Sequence, residues 1–136
     1  KTSKLENNFQ IFFEDSIPKN LIPPEIISRF WDSEEQFLSN SHPVVISNKK
    51  SLVSICYSAA DFNKVAEIDI YTETNYRNKN YASICCNEFI LNLLNKGITP
   101  NWDAFNNNIP SVNLAKKIGF SRFGNSYDFL TINKKD

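Results

Sequence analysis

Glu67-Ile68-Asp69-Ile70-Tyr71-Thr72, followed by Tyr76-Arg77-Asn78-Lys79-Asn80-Tyr81-Ala82, is the stretch on which the fold turns. The first six residues read as a strand, and the second run reads as a basic turn. From Ala82 to Lys96 the pattern becomes helical, with Ala82, Cys85, Cys86, Phe89, Ile90 and Leu93 on one face and Gly97 as a C′ terminator. A strand, a basic turn and a helix start together make a holder for a pyrophosphate. The helix start offers unpaired N–H groups and a partial positive charge, and Arg77 and Lys79 add full charges.

Working outward from this stretch, Ile98 to Phe105 reads as a further strand. Asn108 is a good N-cap for a helix over Ile109 to Ile118, which Gly119 ends. Phe123 and Tyr127 to Ile132 supply the last strand material. Upstream, Phe9 to Phe13 suits a first strand, and Ile22-Pro23-Pro24 suits the opening of a helix, because proline is tolerated in the first turn. Ile26, Ile27, Phe30, Trp31, Phe37 and Leu38 recur at helical spacing, which predicts one apolar stripe through about Leu38, with Phe30, Trp31 and Phe37 in the core. Val44 to Ser47 and Leu52 to Ser58 read as strands of a hairpin turned at Asn48-Lys49-Lys50. The fold class expected is α+β, with a mixed, mostly antiparallel, splayed sheet and helices on its faces.

Composition narrows the functional classes. A chain of 136 residues, 41% hydrophobic, suits one compact domain spanning residues 1–136 with a real core. Fifteen basic and fifteen acidic residues cancel, which argues against a general nucleic-acid binder that must displace counterions. Apolar runs are only a few residues long, so neither a membrane span nor a signal-peptide pattern is expected. The three cysteines are odd in number, and Cys85 and Cys86 are adjacent, so a disulfide framework is not expected and a reducing cytoplasm is. Cys56, Cys85 and Cys86 read as small core residues, and no metal-ligand spacing is present. The chain contains no methionine, so the expectation is a chain trimmed at Lys1 or the C-terminal part of a longer one, with residues 1–22 as a linker or first strand.

Ile98-Thr99-Pro100-Asn101-Trp102-Asp103, followed by Asn108, Ser111, Leu114, Ala115 and Gly119-Phe120, adds a second set of markers. In order and spacing, these pieces and the basic turn resemble the GNAT superfamily of N-acetyltransferases. The Pro-x-Trp-Asp strand and Ala-Lys-Lys-x-Gly-Phe helix end resemble a narrower branch that includes antibiotic-modifying acetyltransferases. Members of that branch usually carry a further N-terminal domain, so the resemblance implies a C-terminal catalytic domain. It also implies a GNAT-like sheet with helices on both faces, acetyl-CoA as co-substrate, a small-molecule or protein amine as acceptor, and room for a homodimer.

The resemblance assigns residues as well. Tyr71 and Thr72 would present backbone to the pantetheine arm, with an N–H of Tyr71 or its neighbour polarising the thioester carbonyl. Arg77, Asn78, Lys79, Asn80, Tyr81 and Ala82 would wrap the pyrophosphate, and Asn108 and Ser111 would touch the arm from the following helix. Glu67 matches the strand glutamate that accepts the amine proton in several members, with Asp69 two residues on along the same face. Two departures stand out. Asn80 occupies a glycine position of the signature, with Asn78 in a position that is also often glycine, and asparagine is the residue best able to take glycine's place at positive φ. Ala115 replaces a tyrosine thought to protonate the leaving thiolate, which leaves Tyr127 or solvent for that task. The alternative from another class is a non-catalytic CoA-binding or protein-interaction module whose departures record lost chemistry.

Overall fold

In a computed structural model, the structure describes residues 8–62, 64–103, 109–118, 120–123 and 126–129. Strand β1 (Phe9–Phe13) is followed by short helices α1 (Pro24–Ile27) and α2 (Glu34–Asn40), then by β2 (Val44–Asn48), β3 (Ser51–Phe62) and β4 (Val65–Thr72). A 3-10 turn at Thr74–Tyr76 leads to α3 (Tyr81–Asn95), β5 (Thr99–Asp103), α4 (Ile109–Ile118), β6 (Phe120–Phe123) and β7 (Ser126–Phe129). The sheet order is β1-β2-β3-β4-β5-β7-β6, antiparallel throughout except for the β4/β5 pair. None of the helices described is long and apolar enough to cross a membrane.

Alternation along the strands divides the core into two layers. Val44, Ile46, Cys56 and Ala66 point to one face and pack under α3, against Cys85, Cys86, Phe89, Ile90 and Leu93. Val45, Ile55 and Tyr57 point to the other face and pack against Ile26 and Ile27 of α1 and Phe37 of α2. Helices therefore cover both faces, as expected. The three cysteines are buried and free, and burial pushes the thiols of Cys56 and Cys85 up.

The end of α3 follows its sequence closely. Gly97 adopts φ +73°, and the amides of Gly97 and Ile98 close back on the carbonyls of Leu94 (3.1 Å) and Leu93 (2.9 Å), a Schellman motif. Lys49 turns the β2/β3 hairpin at φ 58°.

One expectation fails. The apolar stripe from Ile26 to Leu38 is two helices separated by a break, and Phe30 inside that break is 51% exposed rather than core. A local capping arrangement wins over the periodicity. The Ser33 hydroxyl accepts the Gln36 amide at 3.1 Å, and the Gln36 side chain accepts the Asp32 amide at 3.1 Å. That starts a new helix at Glu34 in a new direction. Trp31 keeps a partial burial by donating its indole N–H to the Ser58 carbonyl at 3.0 Å, which ties the break to β3. Elsewhere the differences are of length: α3 begins at Tyr81, β3 reaches Phe62, and β5 begins at Thr99.

At the far edge of the sheet, just past β1, Glu14 gathers Lys96 Nζ, Asn92 Nδ2 (3.1 Å) and His42 Nδ1 (3.3 Å), pinning β1 to α3. Burial raises the pKa of Glu14, but the hydrogen bonds from Lys96 and Asn92 outweigh it, and the net shift is downward. A carboxylate with a depressed folded pKa contributes stability above its unfolded value, and that stability is lost as pH falls through the folded value. Glu14→Gln should therefore be less stable than wild type at neutral pH. The difference should shrink as pH falls below the ordinary glutamate value of 4.5, as read by denaturant midpoints across pH.

Candidate functional site

The β4/β5 pair creates the site. The two strands run parallel in register only at Val65/Thr99, Ala66/Pro100 and Glu67/Asn101. Beyond Glu67, β4 stays with β3 as far as Thr72, whereas β5 goes on to pair with β7 from Asn101 to Asp103. The strands part, and a cavity of about 930 Å³ occupies the opening. Its walls are β4 from Ile68 to Thr72, Trp102 of β5, and Leu114 and Lys117 of α4. Its end is the turn from Tyr76 to Ser83.

Backbone polarity follows from the same register. The Glu67 amide donates to Ser58 Oγ (3.0 Å), the Tyr71 carbonyl accepts from Ser54 Oγ (3.3 Å) and the Glu73 amide donates to the Val53 carbonyl (2.9 Å). Odd-numbered residues thus spend their backbone groups on β3. By alternation, Ile68, Ile70 and Thr72 turn theirs toward the opening. The Thr72 carbonyl is on that side, where it accepts Arg77 Nε at 2.8 Å. Of the amides expected at Tyr71 or its neighbour, that of Tyr71 therefore faces β3 and those of its neighbours face the opening.

The basic turn is held at both of its ends. Phe9 of β1 stacks on Tyr81 (centroids 5.0 Å apart, planes at 10°) and meets Tyr76 edge-on at 5.9 Å. Tyr76 and Tyr81 also pack edge-to-face at 5.8 Å. The Tyr76 hydroxyl accepts from Asn48 Nδ2 at 3.1 Å. Arg77 folds back over β4, with its guanidinium 5.7 Å from the Tyr71 ring centre. Asn78 and Asn80 adopt φ of 63° and 77°, the left-handed region that glycine would occupy freely. Asn80 is the N-cap residue of α3 but makes no side-chain cap; its Oδ1 accepts Lys117 Nζ from α4 at 2.6 Å.

Of the sequence-predicted residues, Tyr71, Thr72, Arg77, Asn78, Lys79, Asn80, Tyr81 and Ala82 all line this one cavity. Tyr81 contributes differently from expectation, since its ring belongs to the Phe9 stack. Glu67 is not among the lining residues. It stands where the strands part, with Oε1 accepting Asn101 Nδ2 at 2.9 Å. Asp69 does line the cavity, accepting the Tyr57 hydroxyl and pairing with Arg29 Nη1 at 3.2 Å. Burial first, and then the bond to Asp69, hold the Tyr57 phenol well above its ordinary value. Ser111 falls in the first turn of α4, and Tyr127 on β7 pairs in register with Trp102; Asn108 lies outside the described residues.

Sequence reading did not single out Arg29 or Tyr57, and it met Lys117 only within the Ala-Lys-Lys-x-Gly-Phe helix end, with no role in the site. Each contacts a residue of the cavity wall from a distant segment. Chemically, the cleft suits a ligand with a long arm of amides and apolar atoms and an anionic head. Strand amides, Ile68, Ile70 and Trp102 offer surface to such an arm, and the basic turn and helix start offer positive charge to such a head.

Known proteins are similar to this chain in sequence and in fold. The family model described as GNAT acetyltransferase matches residues 4–130. The uncharacterized N-acetyltransferase YdfB of Bacillus subtilis (strain 168) is 36% identical over 91 residues, which are 67% of this chain and 35% of that protein. The crystal structure of a GCN5-related N-acetyltransferase-like protein from Streptococcus suis 89/1591 is similar at TM-score 0.72 and 26% identity, over 93% of this chain and 52% of that one. A GNAT family acetyltransferase from Elizabethkingia anophelis, solved with acetyl-CoA bound, shares the fold at TM-score 0.65 and 17% identity, over 87% and 79% of the two chains. The chain thus spans about a third of the curated relative and about half of the Streptococcus suis protein.

The left-handed turn makes a prediction about stability. A non-glycine residue in this region costs about 1–3 kcal/mol, and alanine lacks the side-chain hydrogen bonds that let asparagine tolerate it. Asn80→Ala should destabilise the fold by about 1–2 kcal/mol. Asn80→Gly should cost less, because it loses the Lys117 contact but relieves the strain. Urea unfolding of both variants checks the order.

Proposed function

The chain belongs to the GNAT acetyltransferase family, and from that premise we propose that it transfers an acetyl group from acetyl-CoA to an amine acceptor by direct attack. The observation that carries this reading is the parting of β4 from β5 over a cleft that ends at the basic turn and the start of α3. A similar fold holding acetyl-CoA lends it further support.

On this reading the pyrophosphate lies against Arg77, Lys79 and the backbone of Asn78 to Ala82, while the pantetheine arm runs along β4 as an added strand partner. The amides of Ile70 and Thr72 meet the arm and the thioester oxygen. A preorganised donor at a developing oxyanion supplies roughly 2.7–4 kcal/mol of barrier lowering. Because the Phe9-Tyr76-Tyr81 packing sets the turn in advance, little ordering cost falls on binding.

Glu67 accepts the amine proton, through a water that spans the step between its position and the cavity wall. It is the better base of the strand pair, because its described partner is a neutral amide from Asn101, whereas Asp69 is engaged by both Tyr57 and Arg29. As the new N–C bond forms and the C–S bond breaks, the thiolate takes a proton from solvent or from Tyr127. Asn108 and Ser111 at the start of α4 are proposed as further contacts to the arm. The amine acceptor approaches from the α1/α2 face, where Asp69 stands.

Thiol release from acetyl-CoA with a panel of amines, alongside calorimetric CoA binding, tests the proposal. Acceptor-dependent release supports it. CoA binding without release above hydrolysis, across the panel, would instead make the chain a binding module. Glu67→Gln should leave CoA affinity unchanged and lower the transfer rate at neutral pH by about 10²–10⁴-fold. An unaltered rate and pH profile would remove Glu67 from the mechanism.

A further inference from the structure

We infer that the acceptor is an amine carrying its own carboxylate, of the α-amino acid kind, and that Arg29 is the group that selects it. The inference rests on the acetyl-transfer reading and deepens it by naming the substrate class. It begins with the charge on the α1/α2 face of the cleft. Asp69 is the carboxylate of the cavity wall, and it is already paired: Arg29 approaches through one nitrogen, Nη1, at 3.2 Å, and Tyr57 donates its hydroxyl to the same oxygen.

A plain ammonium arriving here would compete with Arg29 for Asp69 and leave the guanidinium without its partner. A zwitterion resolves the conflict, because its ammonium can approach Asp69 and Glu67 while its carboxylate takes the guanidinium. Two opposed ion pairs then replace one, and the net charge of the site does not change. The geometry also fits, since the Arg29 cation stands 3.2 Å behind the Asp69 carboxylate of the wall, and cation and anion are likewise adjacent in an α-amino acid. A guanidinium presents five donors in a planar fork suited to a carboxylate, so the single nitrogen spent on Asp69 leaves capacity for a second anion.

Exposure agrees with a ligand-facing role. The Arg29 side chain is 43% exposed and that of Asp69 25%, so neither is sealed into a structural pair. Phe30, next in sequence, is 51% exposed with its ring 6.5 Å from Tyr57 and 5.8 Å from the Arg29 guanidinium. An aromatic ring left outside the core beside a charged pair offers a contact for an apolar side chain of the acceptor. The break between α1 and α2, which turns Phe30 out of the core, is thus what assembles this corner. The α-ammonium gives one proton toward Glu67, the neutral nitrogen attacks the thioester carbon, the C–S bond breaks with its electrons leaving on the CoA sulfur, and the second nitrogen proton passes to solvent as the thiolate takes up its own.

The experiment compares L-leucine and L-phenylalanine with their decarboxylated counterparts, isoamylamine and phenethylamine, by thiol release on wild type, Arg29→Ala and Arg29→Lys. Each amino acid should exceed its amine in kcat/KM by roughly ten- to a hundredfold, the worth of one charge-assisted hydrogen bond. Arg29→Ala should remove that preference mainly through KM for the acids, Arg29→Lys should restore part of it, and calorimetric CoA affinity should be the same in all three. Equal kcat/KM for acid and amine in wild type, or a loss in Arg29→Ala that falls on both alike, overturns the inference and leaves acetyl transfer standing. Release with other amines but with neither amino acid does the same. Failure of acetyl-CoA to bind overturns the acetyl-transfer reading, and this inference with it.

Discussion

The short register between β4 and β5 is the constraint on which the rest depends. Three paired positions, ending at Glu67 and Asn101, hold the halves of the sheet together; beyond them β4 keeps to β3 as far as Thr72, while β5 goes with β7 through Asp103. A sheet that continued would spend the inward backbone groups of Ile68, Ile70 and Thr72 on a neighbouring strand. Because it parts, those groups become the lining of a cleft, and a ligand with amides of its own can take the place of the missing strand. The walls of the cleft are arranged around that gap: the basic turn at its end, Asp69 of β4 on one face, and α4 across from it.

Holding the gap open takes packing from both faces. The α3 layer rests on Val44, Ile46, Cys56 and Ala66, and α1 and α2 rest on Val45, Ile55 and Tyr57, so β2 and β3 are clamped while β4 is left with a working edge. Ser58 joins the two regions: its carbonyl takes the Trp31 indole and its hydroxyl takes the Glu67 amide, at the position where the strands begin to part. At the other end of β4, Arg77 bonds the Thr72 carbonyl and Phe9 grips both tyrosines of the turn. The basic turn is thereby fixed by β1, a strand three places away in the sheet. Preorganisation of this kind reduces what binding must spend on ordering a loop.

What the sequence could reveal was local, and what it hid was not. The strand from Glu67, the basic turn, the α3 face and the Gly97 stop are each written in residues that touch their own neighbours, and the structure has them within a residue or two. Asn78 and Asn80 were readable as substitutes for glycine because a single backbone angle decides the matter, and both take positive φ. The apolar stripe through Phe30 misled because periodicity is a sum over many weak preferences, whereas the Ser33 and Gln36 caps act at one point and redirect the chain. The cluster of Arg29, Tyr57 and Asp69 was invisible for another reason. Arg29, Tyr57 and Asp69 come from three separate segments and meet only through tertiary packing, and Lys117 reaches Asn80 across 37 positions. No spacing rule joins them.

The central claim, that the opened edge of β4 is a backbone partner for acetyl-CoA, is tested most directly by amide hydrogen exchange read residue by residue, with and without the cofactor. The account predicts new protection at Ile70 and Thr72, with Asp69 and Tyr71 unchanged because their amides already belong to β3. Protection confined to the turn and the start of α3, with β4 unaltered or with the odd-numbered amides responding instead, would contradict it.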